Sequence, residues 1–153
     1  MPNYDPLTYR YASRRNVVYA KNGACCTSVP LGAQIGLAVL KSGGNAVDAA
    51  VAMAGAMPLL EPTGNGLGSD CFALVWIERE KRLYGLNASG TAPMALSAEA
   101  LRAKGYAALP KEGWLPTMVP GAPAGWAALN RRFGTKPLSE LFAPAIRYAG
   151  DGY

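Results

Sequence analysis

The chain has 153 residues, half of them apolar, with 15 Lys and Arg against 10 Asp and Glu, no His, and a net charge of +5. That length fits one ordinary domain with enough apolar residues for a core, and the lack of His excludes a His-dependent catalytic triad within it. The basic excess is dispersed, with short groups only at Arg14-Arg15, Arg79 to Arg82 and Arg131-Arg132, and no basic stripe interleaved with aromatics marks a nucleic-acid partner. A solvated basic surface accounts for it.

The opening residues from Met1 to Tyr11 lack the basic start and apolar stretch of a secretory signal, so a cytoplasmic location is expected. Val17 to Ala20 and Ala24 to Val29 read as two short strands joined by the Lys21-Asn-Gly23 turn. Cys25 and Cys26 are adjacent and Cys71 is distant, which is neither a CxxC redox pair nor a zinc pattern. In a strand, one of Cys25 and Cys26 would point inward and the other away.

Two helices follow. Pro30 suits a first helical position, and Gly43 and Gly44 supply left-handed residues that end the helix. Asn45 then caps a second helix from Ala46 to Leu60, with Asp48 in its first turn, where a negative charge favours the helix dipole. That second helix is apolar almost all round, as an element buried on most sides would be. Interrupted by Asp48 and Pro58, it is too short and mixed for a membrane span. Glu61 ends it, and a helix-end carboxylate in a structural salt bridge is expected there; a catalytic pair with Asp70, the only nearby acid, is the alternative.

The run Gly64-Asn-Gly-Leu-Gly-Ser69 approximates GxGxxG but precedes a strand, whereas a dinucleotide fingerprint follows one and opens a helix. It reads as a tight reversal or as a wall that a substrate can approach closely. Cys71 to Glu78 and Arg82 to Leu86 form a second hairpin around Arg79-Glu-Lys81, with Phe72, Leu74 and Trp76 expected as its half-buried face. Ser97 caps a short helix through Lys104, without the Glu of a full capping box. Residues 106–120 look irregular. Pro123 opens a helix stopping at Gly134, and Pro137 opens another to Ala149.

Gly43-Gly-Asn-Ala-Val-Asp-Ala-Ala50, Glu61-Pro62, the Gly64 to Asp70 run, Thr91-Ala-Pro93, Val119-Pro-Gly-Ala-Pro-Ala-Gly-Trp126 and Leu138 to Ile146 occur in one order. Together they resemble the amino-terminal part of the gamma-glutamyltransferase family, in register from about Gly23 to Tyr153. The resemblance divides the chain into 1–22, an N-terminal extension with the first strand, and 23–153, the front of a large subunit. It implies an α+β fold, the αββα four-layer sandwich of N-terminal-nucleophile hydrolases, of which this chain is an incomplete portion. Such a piece would leave sheet edges and an apolar helix uncovered.

The resemblance also implies chemistry. Family members cleave themselves, and the Thr exposed at the start of the downstream subunit attacks a gamma-glutamyl or other acyl amide, using its own α-amine as base. No cofactor, metal or membrane enters that scheme. The expected partners are a small-molecule amide and a downstream small subunit carrying the Thr, since no catalytic residue is expected in this chain. In the family an Arg, followed by a Glu, binds the donor carboxylate shortly before the Ala-Pro pair; here those positions hold Ser89 and Gly90. A Ser hydroxyl is one neutral donor where Arg offers a charged fork, so a divergent branch acting on another amide or acyl group, such as a cephalosporin side chain, stands as the alternative to a glutamyl donor. Asn87, Ser89 and Gly66 are the candidate substrate-binding residues. Two other readings stand beside this one: a catalytically silent binding or assembly module, and a self-contained hydrolase using Ser28, Ser69 or Ser89, which lacks a visible base and a GxSxG elbow.

Overall fold

The computed structural model describes residues 17–153; most of the expected N-terminal extension, Arg14-Arg15 included, lies outside them. The elements run α1 (Pro30–Lys41), α2 (Ala46–Leu60), β1 (Cys71–Ile77), β2 (Arg82–Ala88), α3 (Ala98–Ala103), α4 (Ala122–Phe133) and α5 (Leu138–Asp151). Pro30 opens α1 as expected. Gly43 ends it at φ +88°, but Gly44 takes no positive φ; its lack of a side chain instead leaves room for Val39.

The helix α2 is the hub. Helices α1, α4 and α5 all pack on it, and Val51, Ala52 and Ala56 are almost completely buried. Its small residues set the spacing: the Gly55 Cα faces the Phe142 ring and Gly36 of α1 faces Met53. The expectation that this piece leaves an apolar helix uncovered therefore fails, because three helices of the same chain enclose it.

The start of α2 is tied to a remote segment. Asn45 Oδ1 accepts from the N–H groups of Val47 and Asp48, both at 2.9 Å, and Asp48 Oδ2 accepts from Asn45 N–H at 2.9 Å, closing a capping box. The Asp48 carboxylate is fully buried and also accepts from Thr135 Oγ1 at 2.6 Å, Thr135 N at 2.9 Å and Lys136 N at 3.3 Å. Asn45 Nδ2 donates to the Phe133 carbonyl at 2.6 Å. One pair of side chains thus caps α2 and anchors both the end of α4 and the α4–α5 connection.

The hairpin lies beside α4. Strands β1 and β2 are antiparallel, with Cys71 opposite Ala88, Phe72 opposite Asn87 and Ile77 opposite Arg82. A single 3-10 turn, Glu78–Glu80, and Lys81 at φ 49° reverse the chain. Cys71, Ala73, Val75 and Leu86 pack toward the helices. Phe72, Leu74 and Trp76 point the other way and are 63%, 77% and 54% exposed, so the face expected to be half-buried is the uncovered one. Period two was read correctly and its direction was not, because smaller residues seat closer to the helices than aromatic ones. Gly125 shows how close: a Cβ there would lie 2.9 Å from the Ala88 Cβ and 3.0 Å from the Cys71 Cβ.

The other expected hairpin does not form. Residues 17–29 carry no strand, and Val17, Val18 and Tyr19 are 75%, 86% and 91% exposed. A strand needs a paired neighbour for its backbone groups, and among the described residues the only sheet is β1–β2. Cys25 is half-buried against α1 and Cys26 is exposed, so one points inward and the other away as expected, although the segment pairs with no strand. The basic groups near Arg82 and Arg132 do meet in space: both guanidiniums stack on Tyr84, at 4.9 and 4.5 Å from its centroid. They serve as packing.

Gly90 and Gly121 cross where the end of β2 meets the start of α4. A Cβ on Gly121 would fall 2.1 Å from the Ala88 carbonyl oxygen, and one on Gly90, at φ +81°, would fall 1.9 Å from that of Val119. No side chain fits at either position without moving backbone.

Two outcomes test this account. Gly121→Ala should lower stability by about 2–3 kcal/mol, whereas Gly64→Ala, where the added carbon meets nothing within 4 Å, should stay within about 0.5 kcal/mol; denaturant midpoints measure both. For Asp48, burial pushes the carboxyl up, but the Thr135 hydroxyl and the N–H groups of Asn45, Thr135 and Lys136 outweigh it and hold the folded value below the ordinary one. The folded state then binds fewer protons than the unfolded one around pH 3–4, so the stabilisation is complete above about pH 5 and is lost as pH falls through the depressed folded value. Asp48→Asn should cost about 3 kcal/mol at pH 7 and flatten the acid limb of a stability-against-pH curve.

Candidate functional site

The uncovered face and the open end of the hairpin meet at the candidate residues. Asn87 lies on β2 opposite Phe72, exposed on the outward face. Its Oδ1 accepts from the Ser89 N–H at 3.0 Å, an Asx turn that swings the chain off the strand toward Gly90. The Ser89 hydroxyl donates to the Gly90 carbonyl at 3.4 Å. Asn87 and Ser89 are therefore one local unit.

Gly66 belongs to the adjoining cleft. The loop 61–70 leaves α2 through bonds from Gly64 and Asn65 N–H to the Glu61 carbonyl, and Ser69 N–H donates to Gly66 O at 3.2 Å. The Ser69 carbonyl then accepts from Gly121 N at 3.1 Å and Ala122 N at 2.9 Å, docking the loop on the start of α4. The resulting cleft, about 270 Å³, is bordered by Gly66, Ser69, Asp70, Phe72 and Trp126. Gly64, Gly66 and Gly68 take no positive φ, so the glycines leave space here rather than supply a left-handed turn. The loop follows a helix and precedes β1, the opposite of a dinucleotide-binding context. Phe72 borders both this cleft and the groove carrying Asn87.

Glu61 takes no part. Its Oε2 accepts from Ser28 Oγ at 2.7 Å and Asn65 Nδ2 at 3.0 Å. The expected salt bridge is absent among the described residues, since the three ion pairs lie elsewhere; neutral donors within reach satisfy the carboxylate instead. The Glu61 and Asp70 pair is not assembled either: Asp70 borders the cleft and Glu61 does not. Of the serines considered as nucleophiles, Ser28 donates to the Glu61 carboxylate, and neither of those two residues borders the cleft; Ser89 donates to a carbonyl, which cannot take its proton. Burial pushes the Cys25 and Cys71 thiols up, the nearby Asp70 charge adding to it at Cys71, which keeps both in the unreactive thiol form.

Two cleft residues escaped the sequence reading. Trp126 is buried in the core while also bordering the cleft, and only packing reveals that. Phe72 could have been assigned through its place at the start of β1, directly after the glycine-rich loop.

Known proteins share this fold. The family described as Gamma-glutamyltranspeptidase matches residues 32–153. Glutathione hydrolase 3 of Arabidopsis thaliana is 35% identical over 138 residues, covering 90% of this chain and 21% of its own length. Glutathione hydrolase proenzyme 1 of Schizosaccharomyces pombe is 36% identical, covering 92% and 22%; this chain thus spans about a fifth of the curated relatives it matches. Among solved structures, cephalosporin acylase from Bacillus halodurans superposes with a TM-score of 0.86 at 59% identity, covering 98% of this chain and 28% of that one. Helicobacter pylori gamma-glutamyltranspeptidase gives 0.81 at 34% identity, covering 90% and 40%. The expected α+β class and N-terminal-nucleophile hydrolase fold hold, with this chain forming only part of that fold. The order of motifs, the helix-backed hairpin and superpositions over nine-tenths or more of this chain agree on one assignment: this chain belongs to the gamma-glutamyltranspeptidase family.

Proposed function

We propose that this chain is the front portion of the large subunit of a gamma-glutamyltransferase-like N-terminal-nucleophile amidohydrolase or acyltransferase. It supplies scaffold and one wall of the acyl pocket, while the nucleophilic Thr comes from a downstream segment. The observation that carries this reading is the sheet: one face is sealed by helices, and the other presents Phe72, Leu74, Trp76 and Leu83 to solvent. An apolar face of that kind suits a layer of a larger sandwich. The candidate residues Asn87 and Ser89 stand at the border of that same face.

The division of labour follows from chemistry. A terminal Thr hydroxyl, deprotonated by its own amine, attacks the amide carbonyl; the amine leaves, and water or a second amine takes the acyl group from the Thr ester. The groups in this chain bind and orient, and alone it is inactive. The relatives' names include both glutathione hydrolases and a cephalosporin acylase. Ser89, in place of a carboxylate-binding Arg, favours an acyl group other than glutamyl. The Gly90 backbone leaves no room for the Glu that follows that Arg in the family.

Expression of the whole reading frame should yield two chains by intact mass, the smaller starting with Thr, and a lone unprocessed chain that hydrolyses no amide would overturn the proposal. In the processed enzyme, Ser89→Arg should raise kcat/KM for a gamma-glutamyl anilide about tenfold, as a charged fork replaces a neutral donor. An unchanged value would remove residue 89 from acyl recognition.

A further inference from the structure

The ladder ends where Ala88 pairs with Cys71, so Ser89 is the first residue beyond it. The chain is fixed again at once: a Cβ on Gly90 would fall 1.9 Å from the Val119 carbonyl oxygen, and Val119 N donates to the Thr91 carbonyl at 2.9 Å. Ser89 thus spans two anchored points, and the bond from its N–H to Asn87 Oδ1 at 3.0 Å sets its backbone between them. The Ser89 hydroxyl reaches the Gly90 carbonyl only at 3.4 Å. That is long for an O–H donor, so a substrate atom at ordinary distance displaces the carbonyl readily.

The geometry points to Asn87 as a positioning residue: its Oδ1 sets the direction of the Ser89 hydroxyl, and it acts on acyl recognition through Ser89 without touching the substrate. This rests on the acylase reading above and assigns roles within the same site. Substitution separates the two polar atoms of Asn87. Asp retains the acceptor of the Asx turn and lacks the amide N–H donors, whereas Gln retains those donors on a side chain one carbon too long for the turn. A Ser hydroxyl both donates and accepts, so a neutral carboxamide on the acyl group can meet it either way.

The test uses the complete, processed protein and two neutral p-nitroanilides of equal acyl length, one ending in a carboxamide and the other in an isopropyl group. Ser89→Ala should lower the carboxamide-to-isopropyl ratio of kcat/KM about fivefold, the scale of one neutral hydrogen bond. Asn87→Ala and Asn87→Gln should lower it to the same extent, and Asn87→Asp should keep it near the wild-type value. Asn87→Ala added to Ser89→Ala should lower it no further. A purely structural role would change both substrates alike and leave the ratio untouched. Intact mass showing the two-chain form reports the folding of each variant, and Asn87→Gln carries the test if Asn87→Ala is not processed. An Asp variant as impaired as the Ala variant, a Gln variant that keeps the ratio, or additive losses in the double variant would overturn the inference while leaving the acylase reading intact. So would an unchanged ratio in Asn87→Ala or in Ser89→Ala. A wild-type protein that neither processes nor hydrolyses either anilide would overturn both.

Discussion

The buried carboxylate of Asp48 is the constraint on which the rest of the architecture depends. A charge removed from water is tolerated only when its lone pairs are occupied, and here the donors are Asn45, in the same helix cap, and Thr135, 87 residues from Asp48. Satisfying them fixes the α4–α5 connection against the start of α2. Asn45 extends the same tie to the last carbonyl of α4. Once those ends are held, α4 and α5 can lie on α2 in only a narrow range of positions, and the interlocking of Gly55 with Phe142 selects among them.

Placement of α4 in turn decides the hairpin. Its Gly125 admits Cys71 and Ala88 to close contact, and the residues at its start lie against the Gly90 turn and donate to the Ser69 carbonyl. Three chain segments, 69–71, 88–91 and 119–122, therefore meet at one point. Backbone contacts as close as those at Gly90 and Gly121 leave little freedom, so the open end of the hairpin is rigid, as a recognition surface needs to be. The candidate residues inherit that rigidity. Asn87 is held by the ladder and Ser89 by the Asx turn.

The same packing explains why one side of the sheet is exposed. Small side chains lie inward because the helix is close, so the bulky ones of β1 are left outward. Such a surface is costly in water and informative about context: it belongs against another apolar layer. The chain's family supplies a fold in which that layer exists.

Much of this was legible in the sequence. Pro30, Gly43, Asn45 and Pro137 mark helix boundaries through local stereochemistry, which needs no tertiary partner, and the Cys71 to Leu86 alternation marks a hairpin for the same reason. The ordered motifs carried the family. Readings that failed involved partners distant in sequence. The segment 17–29 has strand propensity, but its strand would need a neighbour that the described chain does not provide. The direction of the Phe72 face depended on how near α4 comes. Glu61 found Ser28 and Asn65 instead of a cation, and Asp70 reached the cleft through a docked loop. By itself the sequence determined the elements and the family, since caps, prolines, glycines and period two act over a few residues. Only the tertiary structure decided which face is covered and which side chains share a site, because those depend on distances between segments that local chemistry does not set.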